Sequence, residues 1–142
     1  MAVSTVFLST SCCRTCAEKE GPPDSYMEPE KAAEVAAVRK VIDEIVNSFR
    51  VGDARAVYDR LSARKRASAT YDQFLKEFNA VGVENWNQFF SSYKVVQIAV
   101  ERNRSTNEYW VATALMTNPD IGVPQKLMFL KEEGGWKYDF DN

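Results

Sequence analysis

The chain of 142 residues contains no histidine. This absence excludes Ser-His-Asp and Cys-His catalysis, imidazole metal sites and acid–base chemistry by an imidazole. Neither sign of charge dominates, because 18 Lys and Arg stand against 20 Asp and Glu. We therefore expect no nucleic-acid partner, which would require a basic surface. After residue 30, no stretch approaches the roughly 20 apolar residues that a membrane-spanning helix needs.

Cysteine is confined to Cys12, Cys13 and Cys16. Cys13 and Cys16 form a C-x-x-C pair, but neither a second pair nor a histidine completes a tetrahedral zinc site. The pair also does not begin a βαβ unit, as a thioredoxin-like redox motif would. We therefore expect no metal and no cofactor.

Residues 1–11 are small, apolar and uncharged, and they lead directly into Cys12. This order resembles the end of a bacterial lipoprotein signal, in which the cysteine is lipidated, although no basic residue precedes the short apolar run. We expect a lipid anchor at Cys12, the only membrane attachment, and a place in the bacterial cell envelope, periplasmic or at the surface. The alternatives are a disordered tail on a cytoplasmic protein, or a metal or redox site.

The next segment, AEKEGPPDSYMEPE, is rich in Glu, Pro, Gly and Ser and has no apolar period, which is typical of a flexible linker. We expect residues 1–28 to form a signal-like or flexible, cysteine-containing tail and linker. Residues 29–142 then form one domain. A domain of this size buries enough surface to fold without a metal or disulfide.

Apolar residues recur at steps of three and four after Pro29, which suits a first helical position. This spacing predicts a long helix over about residues 30–50, with one apolar stripe: Val35, Val38, Ile42, Ile45 and Phe49. Gly52 ends it, and Asp53 is placed to cap a second helix over about 54–62.

Thr70 and Gln73 have the spacing of a capping box, which predicts a third helix over about 71–81 with Gly82 as its end. We expect Phe74, Leu75 and Phe78 of this helix to face inward. Beyond residue 82 the pattern changes. The segment VENWNQFFSS is aromatic and irregular, and we interpret it as a loop or a short edge strand.

Four β-branched or alternating segments then predict an antiparallel meander, at 93–101, 108–118, 125–132 and 136–140. Strict alternation in the first would put Lys94, Val96, Ile98 and Val100 on one face and Tyr93, Val95, Gln97 and Ala99 on the other. Helices followed by antiparallel strands define an α+β domain.

The helix VRKVIDEIVNSF with the following RVGDARAVYDRLS, and the tail FLKEEGGWKYDFD, resemble the nuclear transport factor 2-like superfamily, also called cystatin-like. Within it the chain is most similar to the lumazine-binding-like and uncharacterised bacterial lipoprotein branch. The resemblance covers about residues 30–142. It implies N-terminal helices packed on a curved antiparallel sheet that forms a cone with a cavity.

Enzymes of this superfamily place an Asp in the cavity, where desolvation tunes its pKa. Here Asp43 and Glu44 fall off the apolar stripe, and Asp53 is a cap. The remaining carboxylates lie mostly at strand ends, where we expect solvent: Glu101, Glu108, Glu132, Asp139 and Asp141. We find no convincing general base and assign no catalytic residue, so the sequence weighs against an enzyme.

The aromatic residues are numerous enough to line a cavity for a small planar or hydrophobic ligand, and equally to fill the core. If a pocket exists, tyrosine hydroxyls would orient the ligand and methionines would fill irregular gaps. The ligand-binding candidates are Tyr58, Tyr93, Trp110, Met116 and Met128. Trp136 should instead pack the final hairpin.

Segment 108–118 carries apolar residues on both faces, as a sheet covered on both sides would. We expect a homodimer or a docking partner at the exposed sheet face. We interpret a separate basic cluster as a solvated helix end rather than as a binding site for a phosphate-bearing surface or an acidic partner. It comprises Arg55, Arg60, Arg64, Lys65 and Arg66.

The sequence therefore predicts a non-enzymatic module that binds a small ligand or another protein, tethered as a lipoprotein. One alternative is a small cavity enzyme of the isomerase, dehydratase or cyclase type that acts on a hydrophobic substrate. The other is a structural adaptor in a larger complex, which would expose a large apolar patch.

Overall fold

The computed structural model describes residues 27–139. In this part of the chain, helices come first and strands follow, so the predicted α+β class is confirmed. The helices are α1 (Pro29–Val51), α2 (Ala54–Asp59), α3 (Ala63–Ser68), α4 (Tyr71–Val81) and α5 (Val83–Ser91). The strands are β1 (Lys94–Arg102), β2 (Tyr109–Thr117), β3 (Gln125–Glu132) and β4 (Gly135–Tyr138).

The four strands form an open antiparallel sheet in the order β1-β2-β3-β4. The register of β1 against β2 shifts between Val95 and Gln97. Because of this bulge, Val95 and Ile98 both pack on the core, and Val96 between them is 60% exposed. The strict alternation expected for β1 is therefore wrong, since one extra residue inverts the faces partway along the strand.

Both ends of α1 and the starts of α2 and α4 follow local chemistry, as the sequence predicted. Pro29 lies in the first turn of α1, and Gly52 ends the helix in the left-handed region at φ 77°. The Asp53 carboxylate accepts a hydrogen bond from the Ala56 N–H at 3.0 Å. The capping box of Thr70 and Gln73 at the start of α4 is also present.

The second helix ends at Asp59 rather than near residue 62. Residues 60–62 turn away to run beside β4, where Tyr138 N–H donates to the Arg60 carbonyl and Ser62 N–H donates to the Tyr138 carbonyl, both at 2.8 Å. These bonds replace the helical ones that would continue α2. The Ser62 side chain then caps the short α3, an element that the sequence did not predict.

The segment predicted as a loop or edge strand is the helix α5. Its Trp86 and Phe90 both pack against Phe49 of α1. Their spacing of four residues puts them on one helical face, and burial of that face outweighs the weak helix propensity of aromatic residues.

The core lies between one face of the sheet and α1. Val38 and Ile42 of α1 are almost fully buried, as are Ala112 of β2 and Phe129 of β3. A second, smaller cluster joins α2 to α4 around Phe78. Among the helices between residues 27 and 139, none is both long and apolar enough to cross a membrane.

Candidate functional site

A half-open cavity of about 390 Å³ lies between α1, α4, α5 and the core-facing side of the sheet. We call it the aromatic cavity. Three helices supply its Phe and Trp rings, and β2, β3 and β4 supply Met116, Leu127 and Tyr138. Its apolar and aromatic lining residues are Phe49, Phe74, Phe78, Val81, Trp86, Phe89, Phe90, Met116, Leu127 and Tyr138.

Phe49 contacts three other rings of this wall. Its ring centroid lies 4.7 Å from that of Trp86 and 5.0 Å from that of Phe90. The ring of Phe78 stacks on that of Phe49, with a centroid distance of 5.4 Å. The Trp86 indole N–H donates to the Phe78 carbonyl at 3.1 Å, so the indole is held and its polar atom is satisfied.

Polar groups are few in the aromatic cavity. Glu77 and Gln125 line it as well, and both residues are exposed, which places them at its rim. Tyr138 lies deeper, where burial raises the pKa of its phenol to about 12. Among the described residues that line the cavity, none is Lys or Arg.

Met116 is the sequence-predicted ligand candidate that lines the aromatic cavity. Tyr58 lies outside it, against Tyr71 and Phe74, and its hydroxyl donates to the Ala69 carbonyl at 3.0 Å. Tyr93 also lies outside the lining, with its hydroxyl 3.4 Å from Asp43 Oδ1.

The other two candidates lie elsewhere. Trp110, 47% exposed, lines a separate polar cleft. Met128 pairs with Thr113 on the sheet face opposite the buried Phe129, and so points away from the cavity. The structure therefore does not bring the five candidates together.

The wall formed by α5 was not predicted from the sequence. The spacing of Trp86, Phe89 and Phe90 at steps of three and four was the available signal. Phe49, Phe74 and Phe78 were predicted as inward-facing helix positions. What the sequence did not show is that their rings leave space between them and the sheet.

The expectation that Asp139 lies at a solvated strand end is wrong, because its side chain is fully buried. It accepts hydrogen bonds from the Ser62 hydroxyl and from the Arg64 guanidinium. Burial by itself would raise the pKa of Asp139, but these hydrogen bonds and the charges of Arg64 and Lys65 outweigh it and hold the pKa below its usual value.

Glu44 also differs from expectation, since it is half-buried and its Oε2 lies 2.5 Å from Arg60 Nη2. Asp43 is exposed, as predicted. Asp141 lies outside the described residues. Between residues 27 and 139, neither carboxyl with a shifted pKa lines the aromatic cavity, and both shifts are downward.

The polar cleft that holds Trp110 is built around Glu34 of α1. Glu34 pairs with Lys131 and accepts a hydrogen bond from the Trp136 indole N–H at 2.9 Å. Burial raises the pKa of Glu34 and these two partners lower it, with a net decrease. Trp136 is buried and packs the last hairpin against α1, as predicted.

The basic cluster is partly neutralised within the fold. Arg55 pairs with Asp59, Arg60 with Glu44, and Arg64 with Asp139. No group of three or more Cys, Asp or Glu residues within 27–139 is arranged to hold a metal ion. Cys12, the predicted lipidation site, lies outside the described residues.

The fold and its cavity define an α+β domain with helices on one face of an open antiparallel sheet. No family model, curated protein or solved structure matches the chain.

Proposed function

We propose that this protein is a non-enzymatic binding module that holds a small, planar, hydrophobic ligand in the aromatic cavity. The observation that carries the proposal is the cavity itself: a space of about 390 Å³ whose walls are almost entirely rings and apolar side chains. Known ligand pockets have volumes of roughly 300–1,000 Å³ and similar linings.

The ring arrangement supports a flat ligand in particular. Phe49, Phe78 and Trp86 present faces and edges at centroid distances of 4.7–5.7 Å from one another. A ligand ring at a similar distance from these side chains would be attracted to them in stacked or edge-to-face geometry. An inserted aromatic ligand would gain this attraction in addition to the burial of its apolar surface.

We also propose that the domain adopts the cone of a known superfamily. Helices on one sheet face, with a cavity between them and the strands, support membership of the nuclear transport factor 2-like superfamily and its cone. We also propose that the domain is tethered in a bacterial cell envelope through a lipid on Cys12. Metabolic labelling with a fatty acid tests this, because a Cys12→Ser variant would lose the label.

Isothermal titration calorimetry with 1-naphthalenemethanol, a neutral bicyclic probe, tests the binding proposal. A Leu127→Trp variant enlarges a side chain in the cavity wall. Val51→Trp, at an exposed position at the end of α1 that does not line the cavity, is the control. Circular dichroism confirms that each variant is folded.

We expect wild type and Val51→Trp to bind the probe with similar affinity, and Leu127→Trp to bind at least about tenfold more weakly because the space is filled. If wild type does not bind, or if folded Leu127→Trp binds equally well, the proposal is wrong.

The sheet face opposite the helices supports a second proposal, a homodimer. Half-buried apolar and small residues cover its centre in the monomer, and no described element packs on them: Ala99, Val111, Thr113, Leu115, Met128 and Leu130. A surface of this kind is typical of an interface.

The distribution of charge on this face favours a second copy of the chain as the partner, and it favours one orientation of that copy. Lys94 and Lys126 lie toward one end of the strands, and Glu101 and Glu132 lie toward the other. Lys137 lies in the acidic half, where its ammonium donates to the Asp59 carbonyl. A two-fold axis across the strands reverses their direction in the partner and brings lysines opposite glutamates.

Sedimentation velocity tests the dimer. We expect wild type to be dimeric, Leu115→Asp to be monomeric, and Val51→Asp, an exposed position at the end of α1, to remain dimeric. A wild type that stays monomeric at millimolar concentration would contradict the proposal.

A further inference from the structure

We propose that the ligand of the aromatic cavity is an aromatic cation, such as an aromatic ring system bearing an ammonium group. This inference rests on the proposed function, and it adds the charge of the ligand. It follows from which charged groups surround the cavity and which do not.

The only charged side chain among the described residues that line the cavity is the carboxylate of Glu77. Glu77 is exposed on α4, at the rim, and no Lys or Arg between residues 27 and 139 forms an ion pair with it. The rim thus has an acceptor of full negative charge whose electrostatic field acts on whatever occupies the cavity mouth.

The other polar rim residue, Gln125, has an amide oxygen that can accept a hydrogen bond from an ammonium group. The walls add to the same preference. Aromatic rings carry negative charge on their faces and attract cations within about 6 Å of the centroid. Six of the lining residues are Phe or Trp, so we expect a cation in the cavity to have ring faces within reach as well as Glu77.

We expect a ligand that bears a carboxylate to bind more weakly than a neutral or cationic one. No lining guanidinium or ammonium in the described part of the chain would pair with its charge, and the negative charge of Glu77 would repel it. Desolvating an unpaired anion at an apolar rim is also unfavourable. The cavity therefore discriminates against aromatic acids and fatty acids as well as favouring amines.

Three probes with one ring system separate charge from shape: 1-naphthylmethylamine, which is a cation at pH 7, 1-naphthalenemethanol, which is neutral, and 1-naphthoate, an anion. Calorimetry on the full chain measures the affinity of each. We expect the amine to bind about three- to tenfold more tightly than the alcohol, and the acid to bind most weakly. Added salt should reduce the difference between amine and acid.

Glu77→Gln keeps the shape of the side chain and removes its charge. We expect this variant to lose most of the preference for the amine over the alcohol, measured as the ratio of the two affinities. Glu77→Lys should reverse the order of amine and acid. Glu84→Gln, an exposed carboxylate on α5 that does not line the cavity, is the control and should behave as wild type.

The outcomes separate the two proposals. If none of the three probes binds, the proposed function fails, and this inference fails with it. If all three bind with equal affinity, or if the amine preference survives in Glu77→Gln, the cavity is a ligand site but the inference about charge is overturned. If the acid binds most tightly to wild type, the inference is likewise wrong.

Discussion

The ring of Phe49, near the end of α1, lies 4.7 Å from the ring of Trp86 on α5, at an interplanar angle of 53°. Phe49 also contacts Phe78 of α4, so one side chain joins three helices. The aromatic cavity exists because these helices meet at their rings and leave the space toward Met116 and Leu127 unfilled. Its shape therefore depends on how α4 and α5 are held against α1.

The ion pair between Arg64 and Asp139 should contribute more to stability than an ion pair at the surface. Asp139 is fully buried, so Arg64→Met removes the guanidinium that pairs directly with a buried carboxylate. We expect the free energy of unfolding to fall by about 2 kcal/mol.

The matched control is Arg55→Met, which breaks an exposed i,i+4 pair with Asp59 and should cost about 0.5 kcal/mol or less. Urea unfolding at pH 7 measures both values. Equal losses in the two variants would show that burial of Asp139 does not strengthen its pairing.

Gly52 is required for two separate reasons. Its φ of 77° disfavours any side chain, and a Cβ there would lie 2.6 Å from Cγ2 of Val83 at the start of α5. We expect Gly52→Ala to destabilise the protein by about 2 kcal/mol or more.

Gly134→Ala isolates the backbone contribution, since Gly134 has a φ of 89° and open space around it. It should cost only about 1 kcal/mol. Adding Val83→Ala to Gly52→Ala should bring its cost closer to that of Gly134→Ala. Thermal unfolding of wild type, the three single variants and the double variant checks this. The cost of Gly52→Ala in the Val83→Ala background is measured against Val83→Ala alone. If this cost equals that of Gly52→Ala in wild type, the contact with Val83 does not contribute.

Tyr138 should make the protein sensitive to alkali. Burial raises its pKa from 10.0 to about 12. A raised pKa means that the neutral phenol is favoured in the folded state, so its contribution to stability is complete below pH 10 and is lost as the pH rises from 10 to 12. We expect Tyr138→Phe to reduce the fall in unfolding free energy over that interval, as measured by urea titrations at successive pH values. An unchanged slope would show that Tyr138 ionises equally easily in both states.

Much of the fold follows from local sequence signals. Pro29 lies at the start of α1, and Gly52 and Asp53 separate α1 from α2. These residues act through backbone geometry and capping, which need no distant partner. The capping box at Thr70 and Gln73 is equally local. The third strand has the bounds predicted, because its alternating residues lie between clear loop signals.

The errors arise where distant residues decide the structure. Trp86 and Phe90 are helical because Phe49, some forty residues earlier, buries their face. Asp139 is buried because Ser62 and Arg64 satisfy it across more than seventy residues of sequence. A single sequence shows the amphipathic period of a segment but not the partner that makes burial favourable.

Methyl NMR of selectively labelled methionines tests ligand binding in the aromatic cavity most directly. Met116 lines the cavity, and Met128 lies on the opposite face of the same sheet. On addition of 1-naphthalenemethanol, ring-current shifts should move the Met116 methyl signal strongly and leave that of Met128 nearly unchanged. A probe that binds but shifts Met128 alone, or shifts neither signal, would contradict a ligand site in the aromatic cavity.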